Sequence, residues 1–319
     1  MPRLKILNTE PENYSAEAAS ILSKLGEVTN GPFSRAGLLA TLPEVDVLIV
    51  RLAHHVDREI LDRAARLKVI VSATTGLDHI DVDYAHSKGI PVLSLRGETG
   101  FLRGIPATAE HTWALLLAVV RHIPAASQSV LSGKWERDQF KGHDLAGKRL
   151  GILGLGRIGE KVVRYGQAFG LQVLAFDPYR ADWPAGIERM ANMDDLLERS
   201  QVLSIHVPLN AETENLIGAK ELSLLPRGAF LVNTSRGQVI AEQALIQALE
   251  SGQLGGAALD VICHEQEEHL SSSQLIQYAR QHPNLLITPH IGGATFESMQ
   301  ATEIFMARKL EKYLAETMQ

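Results

Sequence analysis

The stretch RLGILGLGRIGEKVVRYGQAFG, residues 149–170, decides the fold. Leu150 to Leu153 is a short apolar run suited to a buried strand, and Glu160 to Phe169 has helical spacing. Between them Gly154, Gly156 and Gly159 stand in G-x-G-x-x-G order. The first glycine makes a tight turn, the second lets the backbone approach a pyrophosphate, and the third lets helix and strand pack closely. N–H groups at the new helix start then face an anion that the helix dipole favours. Arg157 sits at that start and adds a charge-assisted contact, with Ile158 beside it in the same cofactor-binding turn. The next strand ends at Asp177. A carboxylate there accepts hydrogen bonds from the adenosine ribose and repels a 2′-phosphate, which favours NAD over NADP. Arg180 would soften that preference, and Asp177 also has a plainer reading as a turn former before Pro178.

Outward from this stretch, strand and helix patterns alternate along the chain, the mark of parallel α/β architecture. Strands are predicted over 4–8, 45–50, 67–73 and 91–95, with helices over 15–25, 57–65 and 82–88, the first and last stopped by Gly26 and Gly89. A richly apolar helix is predicted over 107–122. A second block follows, with strands over 149–155, 172–177, 202–207, 229–234, 257–261 and 285–289, the six of a full doubly wound dinucleotide fold. The last helix, about 294–314, has no strand after it and is expected to cross back over the first block. The predicted architecture is two doubly wound parallel-sheet domains. A Rossmann cofactor domain, 101–293, is inserted in a smaller flavodoxin-like substrate domain, 1–100 plus 294–319.

Composition narrows the function. A net charge of −6 argues against nucleic acid or an anionic membrane as partner. The longest apolar run, Trp113 to Val120, is too short to span a bilayer. Cys263 is the only cysteine, so no internal disulfide forms; with no secretory hydrophobic stretch in MPRLKIL, a cytoplasmic protein is expected.

Ligands of an open parallel sheet bind beyond the carboxyl ends of its strands. In the second block those ends carry the Gly154 loop, Asp177, His206, Thr234, Ser235, Arg236, Asp260 and His290, with Glu265 just past Asp260. An arginine holds a carboxylate bidentately and polarises a carbonyl, while an imidazole gains and loses a proton near neutrality. A carboxylate beside that imidazole fixes its tautomer. Arg236, His290 and Glu265 fill these roles, and the hydride carrier is the nicotinamide, so no metal is required.

These residues resemble the D-isomer-specific 2-hydroxyacid dehydrogenases over nearly the whole chain. The likeness rests on Gly154 to Gly159 with Asp177, on NTSRG at 233–237, on LDV at 259–261 leading to Glu265, and on TPHIGGAT at 288–295. The resemblance implies Arg236 as substrate anchor, His290 as acid/base and Glu265 as its partner, in hydride transfer at C2 of a small 2-hydroxy or 2-oxo acid. It implies cofactor contacts from His206, Pro208, Thr213, Thr234, Ser235, Asp260, Gly292 and Gly293. It also implies that the loop of Thr74, Thr75 and Gly76 receives the substrate carboxylate, with Arg51 at a neighbouring strand end. A homodimer is implied as well. Three departures stand out: Gln266, Glu267 and Glu268 follow Glu265 where most relatives have Pro, the loop 96–106 is long and charged, and, with about 30 residues after His290, no C-terminal regulatory domain of the kind many phosphoglycerate dehydrogenases carry is expected.

Plainer readings stand beside these. Most of the 12 histidines must be structural, but His290 lies next to Gly292 and Gly293, where a ligand approaches closely. Arg236 has an alternative as a sheet-edge ion pair, and Arg96 and Arg103 as solvated charges rather than readers of a distal anionic group. His264 and His269 invite a zinc reading, but their spacing misses one helical face. Trp135 is expected to pack between the domains. A serine hydrolase using Ser235, Asp260 and His290 is one rival, but Asn233 replaces the first glycine of a nucleophile elbow and the dinucleotide motif goes unexplained. A non-enzymatic NAD-sensing regulator is another, since fold does not fix function. The joint presence of Arg236, Glu265 and His290 argues against it, and Glu265 speaks against a formate dehydrogenase.

Overall fold

The computed structural model describes residues 3–31, 33–265 and 270–317. Gln266, Glu267, Glu268 and His269 lie outside these, so the altered loop after Glu265 and the His264–His269 pairing have no described geometry. The chain divides into two units, Met1–Ile105 with Ala294–Gln319, and Pro106–Gly293.

The first unit holds β1 (Leu4–Asn8), α1 (Ala16–Leu25), β2 (Gly26–Asn30), α2 (Arg35–Thr41), β3 (Val47–Val50), α3 (Arg58–Arg63), β4 (Val69–Ser72), α4 (Val82–Ser87), β5 (Val92–Ser94) and α5 (Thr99–Leu102), completed by α13 (Phe296–Thr317). The sheet order is β2-β1-β3-β4-β5, all parallel, the flavodoxin-like arrangement. VLIV in β3 and VIVS in β4 are buried throughout, as strands covered on both faces must be. Side-chain oxygens of Ser15, Asp57 and Asp81 cap α1, α3 and α4, taking N–H groups that a helix start leaves unpaired.

Four strands are expected here and five are present among the described residues. The missing one is β2, whose sequence GEVTN is mostly polar because it is an edge strand. Gly26 ends α1 and opens β2 in the same residue, and a side chain there would strike Leu4 O. The unit boundary also falls later than residue 100. In α5, Leu102 joins the first unit's core, and the Phe101 ring stacks on Phe305 at 4.1 Å. Lys309 Nζ donates to Ser94 O at 2.8 Å and to Glu98 at 2.5 Å, so α13 pins the charged loop down. On its other side α13 buries Met306, Ala307, Leu310 and Leu314 among Ile6, Leu22, Val47 and Val69.

The second unit begins with α6 (Ala107–Val120) and α7 (Ile123–Leu131). It continues with β6 (Arg149–Leu153), α8 (Arg157–Ala168), β7 (Gln172–Phe176), β8 (Glu188–Arg189), α9 (Met193–Arg199), β9 (Val202–Ile205), α10 (Ala219–Leu224), β10 (Ala229–Asn233), α11 (Glu242–Glu250), β11 (Leu254–Leu259), α12 (Gln274–Gln281) and β12 (Leu285–Ile287). Its sheet runs β12-β11-β10-β9-β6-β7-β8, parallel throughout, with an apolar core on each face. Among the described residues seven strands replace the six expected. The omitted β8 is a two-residue exposed edge, and with it the order matches the doubly wound 3-2-1-4-5-6 pattern plus one strand. The apolar helix stops at Val120, two residues early, because His122 turns left-handed at φ 54° to start α7. Trp135, expected to be packed, is 85% exposed. Among the described residues no single helix is long and apolar enough to cross a membrane.

Leu310→Ala empties a fully buried position in the first unit, and a cost of roughly 2–5 kcal/mol is expected. Hydrogen exchange checks the assignment of α13. Amides of β1, β3 and β4 should lose protection while those of β9 and β10 keep theirs.

Candidate active site

The site begins at the switch point of the second sheet, where β6 has β7 on one side and β9 on the other. Gly154 leaves β6 at φ +91°, and a Cβ there would lie 2.9 Å from the backbone of His206 at the end of β9. Gly159 lets α8 rest on the turn, since a side chain would strike Gly154 O. Gly156 caps α8 and has nothing within 4 Å of its missing Cβ. Each glycine thus meets the requirement read from its place in the motif, and the open one exposes the N–H cradle a pyrophosphate needs. Arg157 opens α8 in a half-buried setting, which lowers its pKa, and Ile158 packs on the core beneath.

Asp177 Oδ2 accepts from Leu155 N at 2.9 Å and Oδ1 from Tyr179 N at 3.0 Å. Its carboxylate therefore shapes both the glycine turn and the turn before Tyr179, as the turn-forming reading expects. Arg180 is tied down: it donates to Leu155 O and Asp182 O and pairs with Glu160. That pairing answers the question of whether it stands as a spare cation beside the ribose position.

His206 is neutral: desolvation pushes its pKa down to about 3, and Nε2 meets Ser204 Oγ at 2.8 Å. Thr213 staples its own loop, donating to Pro208 O at 2.6 Å and accepting from Asn210 N at 2.9 Å. After β10, Asn233 organises the turn. Its Oδ1 accepts from Ser235 N at 2.9 Å and Ser235 Oγ at 2.7 Å, and its Nδ2 donates to Arg236 O at 2.9 Å. Thr234 Oγ1 shares a hydrogen bond with Thr112 Oγ1 at 2.7 Å. Arg236 Nη1 donates to Ser235 O at 2.7 Å. Gly237 comes next, and any side chain there would collide with the Ile262 and Cys263 backbone. This contact brings the Arg236 turn against the segment that leads to Glu265.

His290 Nδ1 and Glu265 Oε1 are 2.5 Å apart, which leaves Nε2 of the imidazole for other partners. His290 itself is left-handed at φ +53°, and its N–H donates to Asp260 O at 2.9 Å. Asp260 is 1% exposed. Burial opposes its ionisation, yet hydrogen bonds from His111, Thr288, Ile291 and Gly292 overrule that and hold its pKa below the ordinary aspartate range. A Cβ on Gly292 would sit 2.8 Å from Asp260 Oδ2, whereas Gly293 has open space around it. No hydrolase triad is assembled, because Ser235 Oγ donates to Asn233 and the acid beside His290 is Glu265. Sequence reasoning missed Asn233 and His111. Asn233 lay inside a quoted motif, while His111 sits in an apolar helix where nothing marks it.

In the first unit, Thr74 Oγ1 donates to Gly76 O at 2.7 Å and meets Ser72 Oγ at 2.9 Å, and Ser72 Oγ lies 3.2 Å from His79 Nε2. Thr75 is exposed at the crest of this loop. Arg51 is no free anchor: Nη1 donates to Glu303 Oε1 at 3.0 Å and Nη2 to Glu10 O at 3.1 Å. Glu303 is 1% exposed, and burial raises its pKa against the pull of Arg51 and Ser15 N.

The family model described as D-isomer specific 2-hydroxyacid dehydrogenase, NAD binding domain, matches residues 113–292. A D-3-phosphoglycerate dehydrogenase of Methanocaldococcus jannaschii is 37% identical over 98% of this chain, which spans 57% of that protein's length. A hydroxypyruvate reductase of Thermotoga maritima is 35% identical over 98% of this chain and 99% of its own. Among solved structures, a D-lactate dehydrogenase of Aquifex aeolicus complexed with NAD and lactic acid superposes with a TM-score of 0.86 at 27% identity, covering 98% of this chain and 96% of that one.

Asp260→Asn leaves backbone donors of the turn facing an amide and should cost about 3 kcal/mol at neutral pH. Because the Asp260 pKa is lowered on folding, its stabilisation is present above the unfolded-state value and lost as pH falls through the folded one. The gap between wild type and variant in urea unfolding should hold from about pH 7 to 5 and shrink below about pH 4.

Proposed function

Since the chain belongs to the D-isomer specific 2-hydroxyacid dehydrogenase family, we propose that it reduces a small 2-oxo acid to the D-2-hydroxy acid, and catalyses the reverse, with NAD as cofactor. The observation that carries this reading is the His290–Glu265 pair at 2.5 Å on the sheet edge that also carries the Gly154 cradle. When bound, the nicotinamide supplies or accepts the hydride at substrate C2.

The chain's own residues do the rest. Glu265 holds Nδ1, so Nε2 is the nitrogen that exchanges a proton with the substrate's C2 oxygen. On reduction the proton moves from Nε2 to the new alkoxide and is replaced from solvent; on oxidation it moves the other way. Arg236 is the anchor for the carboxylate and polarises the carbonyl, its planar fork suited to both. In the first unit, the turn at Thr74, Thr75 and Gly76 offers N–H groups suited to a carboxylate. Arg51 supports that unit from within, since Glu10 and Glu303 already hold its guanidinium. Asp177 and the glycine turn take the adenosine end, and neutral His206 and Pro208 line the cofactor. The lone Cys263 suits a reducing, cytoplasmic setting.

The active form in this reading is a homodimer. None of the nine residues of α7 is buried, and Ile123, Val130, Leu131, Trp135 and Phe169 are all exposed in the second unit. A single chain rarely leaves such an apolar group in water.

NADH absorbance, followed with a panel of small 2-oxo acids that includes phosphorylated ones, tests the activity. His290→Ala should lower reduction roughly 10²–10⁴-fold, and near-normal turnover would sink the assignment. Preference for a phosphorylated acid would bring Arg96 and Arg103 into the site. For the assembly, Leu131→Asp should shift sedimentation from dimer to monomer; a wild-type monomer at micromolar concentration rules the dimer out.

A further inference from the structure

His111 belongs to neither the cofactor loop nor the acid/base pair, yet it touches the one buried carboxylate that shapes the His290 turn. Asp260 Oδ1 accepts from His111 Nε2 at 3.0 Å, Thr288 Oγ1 at 2.6 Å and Ile291 N at 2.9 Å, and Oδ2 accepts from Gly292 N at 2.7 Å. Three of these four donors lie in the turn segment itself. His111 is the fourth and comes from a different element, α6.

The protonation pattern is fixed by the partners. The Thr288 hydroxyl proton is committed to Asp260, so its oxygen accepts, and His111 Nε2 lies 3.0 Å from that oxygen as well. Two acceptors face Nε2, which must therefore carry a proton. The helix behind it is a firm base. α6 buries Trp113, Leu115, Leu116, Val119 and Val120 in the core of the second unit. Its first turn also abuts the loop, because a Cβ on Gly292 would lie 3.3 Å from Thr108 Cγ2.

His290 needs such a hold. A left-handed backbone at φ +53° is disfavoured for a residue with a Cβ and persists only where surrounding contacts impose it. Ile291 N and Gly292 N, the two N–H groups that follow His290, are bound by the Asp260 carboxylate. Fixing that carboxylate fixes the turn, and fixing the turn aims the imidazole.

We propose that His111 is a positioning residue for the reaction: through Asp260 it locks the 290–292 turn to α6 and so sets the aim of His290. This rests on the acid/base reading of His290 given above. His111 acts as a hydrogen-bond donor through Nε2 and does not itself touch the reacting atoms.

Three substitutions separate this from a merely structural role. A glutamine amide nitrogen stands as many bonds from Cβ as the imidazole Nε2 does, whereas that of asparagine is one bond short and leucine has no donor. His111→Leu should lower kcat by about tenfold or more, as loss of an outer-shell partner does at metal sites, with KM for NADH changed by less than about twofold. In the same protein without cofactor, amide exchange at Ile291 and Gly292 should accelerate. His111→Gln should restore kcat and protection together, and His111→Asn should restore neither. Unchanged protection at Ile291 and Gly292 in folded His111→Leu would overturn the proposal. So would a fall in Tm with kcat intact, which marks scaffolding only. His290→Ala is measured alongside. Retained turnover there would overturn the acid/base reading and the kinetic half of this proposal with it, whereas the exchange comparison judges the link between His111 and the turn by itself.

Discussion

At three points along the carboxyl edge of the second sheet, one strand end presses on another where a Cβ would have to stand. Gly154 meets the backbone of His206, Gly237 meets Ile262 and Cys263, and Gly292 meets the Asp260 carboxylate. Each contact joins two segments that carry site residues: the cofactor turn to His206, Arg236 to the approach of Glu265, and the His290 turn to Asp260. Interiors are too tightly packed to absorb an added methyl there. The first two contacts are main chain against main chain and the third sets the Asp260 carboxylate against the His290 turn, so these close approaches fix the spacing of the site.

Much of this frame could be read before any coordinates. The three glycines of 154–159 and the strand and helix around them were legible because the motif prescribes both local conformation and neighbours. The doubly wound class and the return of the last helix followed from the alternation of patterns. So did the placing of His290 and Asp260 at strand ends. Edge strands escaped. β2 and β8 carry GEVTN and ER, and a strand with one exposed face or two residues leaves no apolar run to detect.

Long-range polar pairing escaped as well. Arg51 sits at a strand end on the expected side, but its partner Glu303 is 252 residues away, and no local pattern announces that a charge is already spoken for. His111 and Asp260 are 149 residues apart and failed to register for the same reason. Trp135 illustrates the opposite error: a large aromatic was assumed to be covered between the domains, yet within a single chain it is exposed, as is the apolar face of α7. Burial of polar groups and exposure of apolar ones are both decided by tertiary neighbours, which composition does not encode.

The place of α13 bears on how the chain comes into being. Met306, Ala307, Leu310 and Leu314 close one face of a sheet whose strands β1, β3 and β4 are made first. Synthesis runs from the amino end, and units tend to fold as they emerge. The second unit, continuous in sequence from Pro106 to Gly293, has all its strands before the first unit has its cover. The amino-terminal sheet, with only α1 and α5 on that face, must wait for its full cover until α13 leaves the ribosome. A chain interrupted after β12 would leave a finished nucleotide-binding half tethered to a half that cannot close, a species suited to capture by chaperones rather than to partial function.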